Sequence, residues 1–299
     1  MTLRNLAIFV KVCETENMTA AAKELYISQP AVSHAISELE GEYGVRLFER
    51  FSNRLHLTNE GRRLLSFSRH ILAHSEELSR EMRGDSGPRQ LRLGGTLTAG
   101  PYFLIPMMIA FQEQHDDPEL ILSIHNTVEL EHAILNAELD VGVAEGRITA
   151  PELYTMPLVR DELVFVCGQN SPWAELARKG HVLPSELAGE PFLMREKGSG
   201  TQALFAQLAA QLELRPRVKA VFNSIDGIKQ GARAGLGIAF LSHRAVTEGE
   251  GLVILPMEAG KLERTFNLVW HRDKYISDGM QLFLDFAREY GKRDNGREE

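Results

Sequence analysis

Thiols are scarce in this sequence: of its 299 residues only Cys13 and Cys167 are cysteines. A disulfide framework or a zinc site built from cysteines is excluded at that count. Each thiol is expected to be a small buried apolar residue, and a two-cysteine peroxide switch in the C-terminal region would lack its second thiol. Long apolar runs are missing as well. Stretches such as "MMIAF" and "LGIAFL" fall far short of the roughly 18 consecutive apolar residues that span a bilayer, so no membrane segment is expected. The opening "MTLRNLAIFVKVCETEN" carries Lys11 inside its apolar region and acids where a cleavage site would lie. That is the pattern of an amphipathic helix and not of a signal peptide, and a cytoplasmic chain is expected.

Positive charge is also short, with 33 Lys and Arg against 41 Asp and Glu. The deficit is uneven: residues 1–70 hold nine basic and eight acidic residues, while the remainder holds 24 and 33. Arg46, Arg50, Arg54, Arg62 and Arg63 cluster in the N-terminal part, a local basic edge that suits phosphate even when the whole chain is acidic. The composition, 43% hydrophobic and 25% charged, is that of a globular protein, and the length suits two or three compact units with separate cores.

Leu3, Leu6, Ile8, Phe9 and Val12 recur at helical spacing and predict a first helix to about Glu14. A second begins at Thr19, with Ala20, Ala21, Ala22 and Leu25 as a narrow packing face. Ser28 then suits an N-cap, and Pro30 falls in the first turn of a third helix, where a missing N–H costs nothing. Val32, Ile36 and Leu39 form its inward face, leaving Gln29, Pro30, Ser33, His34 and Ser37 for the outside. Small alanines between crossing helices suit a helix-turn-helix, whose second helix enters the roughly 12 Å wide major groove of DNA. A plain helical hairpin in a small bundle is the alternative. The next stretch, "YGVRLFERFSNRLHLTNEG", reads as a short hairpin whose polar tip carries Arg50 and Arg54. Such a wing grips phosphate while the helix reads bases.

With Ala20, Ala21, Leu25, Ser28, Gln29, Pro30, Ser33, Ile36, Leu39, Glu40, Gly44, Leu47, Phe48, Arg50, Leu57, Thr58 and Gly61 in place, the segment resembles the winged helix-turn-helix of LysR-type bacterial transcriptional regulators. The match departs at Ala35, where a long polar residue is common. The resemblance implies an all-α winged helix-turn-helix domain with a linker helix, followed by an α/β effector-binding domain of two open subdomains similar to type 2 periplasmic binding proteins. The wing assignment carries a prediction. Arg50→Ala or Arg54→Ala should weaken binding to many DNA sequences alike and reduce the salt slope by about one, as for a lost phosphate contact. An unchanged slope in a salt titration would argue against the wing.

Thr58 suits the N-cap of a long helix with Glu60 in its first turn. Leu64, Ile71 and Leu78 lie seven residues apart in it, with Phe67 and Met82 nearby. That is a short coiled-coil seam, and pairing of two chains is expected; the resemblance implies the same. His70 and His74 are four residues apart, but no third ligand accompanies them and no metal is expected. "GDSGPRQ" has the composition of a hinge. The expected domains are 1–58 for DNA binding, 59–84 for the linker helix, 85–90 for the hinge and 91–299 for the effector domain.

From Leu91 short apolar strands alternate with helices. "QLRLGG", "LILSIH" and "LDVGVA" read as strands, with helices from Pro101 and Val128 between them. "DELVFVCG", "FLMR", "VKAVFN" and "IAFLS" form a second set, and "FNLVW" with the helix "SDGMQLFLDFAREY" returns to the first. Two open α/β subdomains with a cleft between them follow, one of about 91–160 with 266–299 and the other of about 161–265.

Two Gly-rich turns mark the expected cleft. In "GGTLTAGPY", Thr96 and Thr98 would bring hydroxyls near backbone N–H groups, and in "REKGSGTQALF", Gly198, Ser199, Gly200 and Thr201 open a helix. Helix N-termini carry partial positive charge and glycines let an oxyanion approach, so the pair suits a carboxylate, sulfate or phosphate. Ordinary capping by Ser and Thr is the alternative, but both turns coincide with where LysR-type proteins bind their effector. Asn223 and Ser224 start a further helix, and Glu145 and Glu196 fall at strand ends. Gly235 and Gly237 precede a strand, so they are read as turn residues and not as a dinucleotide motif.

The leading function is a one-component regulator, a dimer or tetramer on double-stranded promoter DNA that answers to a small, anionic effector. No cofactor is expected. The rival is an enzyme or solute carrier using the same cleft, with the N-terminal helices serving only oligomerisation. No HExxH motif, phosphate-loop lysine or zinc quartet is present, and "KGSGT" lacks the Gly two residues before Ser that a nucleophile elbow requires.

Overall fold

The computed structural model describes residues 1–51, 54–83, 90–258 and 262–296. They form two compact units, Met1–Gly87 together with Leu135–Glu138, and Pro88–Ile134 together with Leu139–Glu299. The stretch 84–89, which covers nearly all of the expected hinge, lies outside the described residues.

In the first unit, α1 (Leu3–Thr15) buries Leu6, Ile8, Phe9 and Val12. α2 (Met18–Glu24) starts one residue before the expected Thr19, because the Asn17 side chain accepts from the N–H groups of Thr19 and Ala20 and caps it. Ala21 and Ala22 are buried, and their lack of bulk lets α2 cross close to α3 (Gln29–Tyr43). Ser28 accepts from the Ala31 N–H to cap α3, Pro30 occupies its first turn, and Gly44 ends it at φ 67°. That left-handed backbone is where glycine is at least cost. Val32, Ala35, Ile36 and Leu39 pack with Phe9 and Leu47 into one core.

β1 (Phe48–Phe51) and β2 (Arg54–Leu57) then pair antiparallel, with Phe51 opposite Arg54. Ser52 and Asn53 at the tip lie outside the described residues. Thr58 Oγ1 donates to the Arg46 carbonyl at 2.7 Å and accepts from the Gly61 N–H at 2.9 Å, which ties the wing to the start of α4 (Asn59–Arg83). Gly61 is needed there, since a Cβ would overlap the Leu47 carbonyl oxygen. Cys13 belongs to the margin of this core; burial pushes its thiol up to about 12, so it stays protonated at neutral pH.

The second unit begins with the parallel strands β3 (Gln90–Thr96), β4 (Glu119–His125) and β5 (Val141–Glu145). A helix was expected from Pro101. It starts there, but as one wide helical turn over Gly100–Leu104 before α5 (Ile105–Gln112) begins; Pro106 has no N–H to donate back to the Tyr102 carbonyl. α6 (Thr127–Leu135) leads to β5. The second half contains β6 (Leu153–Gly168), α7 (Ala174–Arg178), β7 (Pro191–Arg195), α8 (Gly200–Gln211), β8 (Arg217–Phe222), α9 (Ile225–Arg233), β9 (Ile238–Ser242) and β10 (Leu252–Leu255). β11 (Leu262–His271) and α10 (Asp278–Asn295) close the unit.

All nine of these strands share a sheet, in the order β4-β3-β5-β11-β6-β9-β7-β8 with β10 also on β6. β6 and β11 pair antiparallel along ten residues of β11, from Leu262 opposite Leu163 to His271 opposite Leu153. They are the two strands common to both halves: β11 continues onto β5, and β6 continues onto β9. Each half has its own core, around Phe103, Phe111 and Phe283 in one and around Phe165, Phe192 and Phe205 in the other. Both crossing strands are longer than their apolar patterns, "DELVFVCG" and "FNLVW", indicated. Arg160, Glu162, Glu263 and Arg264 break the alternation where the strands cross between halves. Cys167 is wholly buried, and burial raises its thiol too.

Asp140 anchors the first half. It accepts from the Arg92 backbone N–H at 2.8 Å, from Arg92 Nε at 3.1 Å and from Lys274 Nζ at 2.7 Å. Burial pushes this carboxyl up, but the Arg92 hydrogen bonds and the Lys274 charge outweigh burial and hold it below its ordinary value. The resulting stability is present above the unfolded carboxylate range near ~3.9 and is lost as pH falls through the lower folded value. Melting temperature followed from pH 7 down to about pH 3 should therefore drop more steeply for the wild type than for Asp140→Asn. Parallel curves would remove Asp140 from the acid response.

Candidate functional site

On α3 the core side is taken by Val32, Ala35, Ile36 and Leu39, and the opposite side shows Gln29, Pro30, His34 and Ser37 exposed, with Ser33 half-buried. These five candidates thus share one outward face, begun by the capped first turn. His34 Nδ1 lies 3.7 Å from Glu38 Oε1 one turn on. Ala35 is only 4% exposed, so the position at which the chain departs from the family pattern lies in the core and not on the reading face. Arg50 stands in β1 opposite Leu55, and Arg54 stands in β2 opposite Phe51; their side chains lie outside the described residues.

Along α4, Phe67 and Leu78 are each 62% exposed, Met82 is 79% exposed and Ile71 is 37% exposed. At helical spacing they form one apolar stripe. Leu64, expected to head that seam, is instead half-buried against the core of its own unit, because the first turns of α4 pack beside α1. The stripe available to a partner therefore starts at Phe67, which the strict seven-residue spacing passed over.

The two Gly-rich turns of the second unit meet through a third one, at the end of β5. Thr96 was expected near backbone N–H groups; its hydroxyl instead donates to the Glu145 carboxylate. Glu145 is 2% exposed. A Cβ on Gly200, the first residue of α8, would lie 2.6 Å from the Glu145 carbonyl oxygen, and one on Gly146 would lie 3.0 Å from Gly200 Cα. Backbone thus meets backbone where the halves face each other, and only glycine permits it. Gly198 differs: a Cβ there would meet the Asn126 and Val128 side chains at an ordinary 3.6 Å, and it is the left-handed backbone at φ 95° that favours glycine.

Ser199 occupies the N-cap position of α8, yet its side chain makes no capping bond. Its hydroxyl is buried and has no hydrogen-bond partner among the described residues, and the same holds for Thr98 Oγ1. Buried hydroxyls are normally paired, so ordinary capping does not account for these two. Thr98 also lies beside the wide turn at Gly100–Leu104, a local geometry frequent at functional sites. Thr201 is engaged, accepting from Arg264 Nη1 at 2.8 Å. Ser224 is a plain cap for α9, accepting from the Gly227 N–H at 3.2 Å, and Asn223 is exposed. The Glu196 carboxylate is already spent in a two-pronged pair with Arg195, at 2.9 and 3.0 Å.

Sequence reasoning missed the ion cluster behind α8. Asp161 on β6 is wholly buried. It accepts from Ser242 Oγ at 2.5 Å and from Arg264 Nε at 2.7 Å, with Arg244 Nε 3.7 Å away. Asp161 and Arg264 are cross-strand partners in the crossing pair. Charged residues inside strands bounded by apolar runs were the signal that could have flagged them, because burial of such groups demands a partner. Among the described residues no three His, Cys, Asp or Glu side chains are grouped to hold a metal, and no helix is long and apolar enough to cross a membrane.

Residues 3–62 match the family profile described as bacterial regulatory helix-turn-helix protein, lysR family, and residues 84–292 match the LysR substrate binding domain. The chain belongs to the LysR family. Among LysR-family relatives it is 33% identical to an uncharacterized HTH-type transcriptional regulator, YeiE of Escherichia coli strain K12, over 96% of this chain and 97% of that one. Among solved structures, the regulatory domain of CcmR from Synechocystis PCC6803, in complex with 2-PG, is 28% identical with a TM-score of 0.63, covering 68% of this chain and 97% of that one. Full-length OxyR from Pseudomonas aeruginosa shares the fold at 19% identity, with a TM-score of 0.74, covering 98% of this chain and 95% of that one. The LysR-family relatives are named as transcriptional regulators and not as enzymes.

Proposed function

We propose that this LysR-family regulator binds promoter DNA as a homodimer or a higher homo-oligomer and that a small anionic effector controls the binding. The effector sits between the Thr96–Gly100 turn and the Gly198–Thr201 turn. The observation that carries this reading is the pair of buried hydroxyls, Thr98 and Ser199, one from each turn and both without a hydrogen-bond partner among the described residues. Both can donate to an acceptor-rich ligand, and the first turn of α8 adds unpaired N–H groups and the positive end of its dipole. Glu145, held by Thr96, occupies that threonine and leaves Thr98 and Ser199 for the ligand. The CcmR regulatory domain in complex with 2-PG supports a ligand in a domain of this kind. On DNA, Gln29, Pro30, Ser33, His34 and Ser37 take the major groove and Arg50 and Arg54 take phosphates, and the α4 stripe pairs the chains.

The test is thermal unfolding of the full chain against a panel of small metabolic anions, repeated with Thr98→Ala and Ser199→Ala. An anion at ~100 times its dissociation constant should add about 2.7 kcal/mol of stability, and each substitution should shrink that gain. A panel in which no anion stabilises the wild type refutes the anionic reading. Full stabilisation of both variants would move the site elsewhere.

A further inference from the structure

Arg264 lies on β11, outside both turns, and is 7% exposed. Two of its three guanidinium nitrogens are spent: Nε donates to Asp161 at 2.7 Å and Nη1 donates to Thr201 Oγ1 at 2.8 Å. The third, Nη2, is buried and has no hydrogen-bond partner among the described residues. An unpaired donor on a buried guanidinium costs more than one on a neutral group, and proteins rarely leave one without a use. The geometry confines that use. Thr201 lies in the first turn of α8, two residues after Ser199, whose own buried hydroxyl has no partner among the described residues. The guanidinium plane is fixed by Asp161 and Thr201 and covered by the Phe266 ring, 5.4 Å from Cζ, so Nη2 has little freedom to turn toward another partner.

We infer that Arg264 is the cationic contact of the effector site, donating through Nη2 to an oxyanion that also takes the Ser199 hydroxyl and the first turn of α8. This rests on the anionic-effector reading and adds to it a residue on a strand shared by both halves of the domain. Guanidinium and backbone N–H can only donate and the hydroxyl can donate beside them, a set in which the fixed positive charge favours carboxylate, sulfate or phosphate groups over cations. Because Asp161 and Thr201 hold the same guanidinium, the effector's acid group is joined in one hydrogen-bonded chain to the β6–β11 crossing.

The experiment is isothermal titration of the full-length protein with sodium sulfate and with sodium acetate, at ionic strength matched with sodium chloride. Wild type is compared with Arg264→Lys and with the double variant Asp161→Asn with Arg264→Gln. The double variant removes both charges, so no buried charge is left unpaired, and the lysine variant keeps the charge but loses the fork. Losing a charge-assisted hydrogen bond should weaken binding of the better anion by about tenfold or more in the double variant, with a smaller loss for lysine. Baseline melting temperatures of all three, taken without added anion, separate a folding defect from a binding one. Equal binding by a folded variant and the wild type overturns the role of Arg264 and leaves the anionic site standing. Binding of neither anion to the wild type, against the same chloride background, overturns the anionic reading and Arg264 with it.

Discussion

Replacing Phe67 and Leu78 together by aspartate should convert the protein to monomers. Both side chains are 62% exposed on one face of α4, joined by Ile71 and Met82, and a helix does not keep such a stripe in water without a partner. Two opposed aspartates in a seam of this kind add like-charge repulsion and desolvation to the lost apolar contact. The N-terminal core does not include Phe67 or Leu78, so folding of the unit should be retained. Dimerisation makes the second half-site contact intramolecular, and its loss should weaken binding to a two-half-site operator by roughly 10²- to 10⁴-fold. Sedimentation velocity together with DNA titration checks both parts. A variant that sediments as the wild type does would show that the chains pair through another surface.

The other large effect is expected from Asp161→Ala. Asp161 is wholly buried and is the acceptor that holds Arg264 Nε at 2.7 Å and Ser242 Oγ at 2.5 Å. Removing it leaves the Arg264 cation buried without its counter-charge, which typically costs about 3–5 kcal/mol. Arg244 is less affected, since its Nη2 also pairs with Asp294 at 2.7 Å. Both tryptophans, Trp173 and Trp270, belong to the C-terminal unit. Their fluorescence during denaturant unfolding therefore reports on that unit. Asp161→Asn, which keeps an acceptor for Arg264, should cost less than Asp161→Ala, whereas equal and small losses would mean that water enters and pairs Arg264.

Several elements are legible in the sequence. α1, α3 and the wing follow from local patterns: a 3.6-residue apolar period, a Ser28 cap with Pro30 in the first turn, and alternation broken at a polar tip. Less local features were harder to read. The start of α2 lies one residue before Thr19 because Asn17, outside the apolar pattern, caps it. The wide turn before α5 is not visible in residue spacing, which marks buried faces and not which carbonyl loses its donor at Pro106. Leu64 looked like the head of a seam because periodicity marks a buried face without saying which neighbour buries it.

The sequence alone determined the family pattern, the outward set on α3, and the two glycine-rich turns, since each depends on residues within a few positions of one another. Only the tertiary structure decided how these turns are used. Ser224 caps its helix and Ser199 does not, although both are serines opening a helix, because capping depends on a side-chain direction that distant packing sets. Thr96 went to Glu145 and Thr201 to Arg264, partners 49 and 63 residues away in the chain. The first pairing comes from β3 and β5 lying side by side, and the second from the β6–β11 crossing, where strands remote in sequence become neighbours and the buried Arg264 is tolerated because its counter-charge, Asp161, arrives from the other strand.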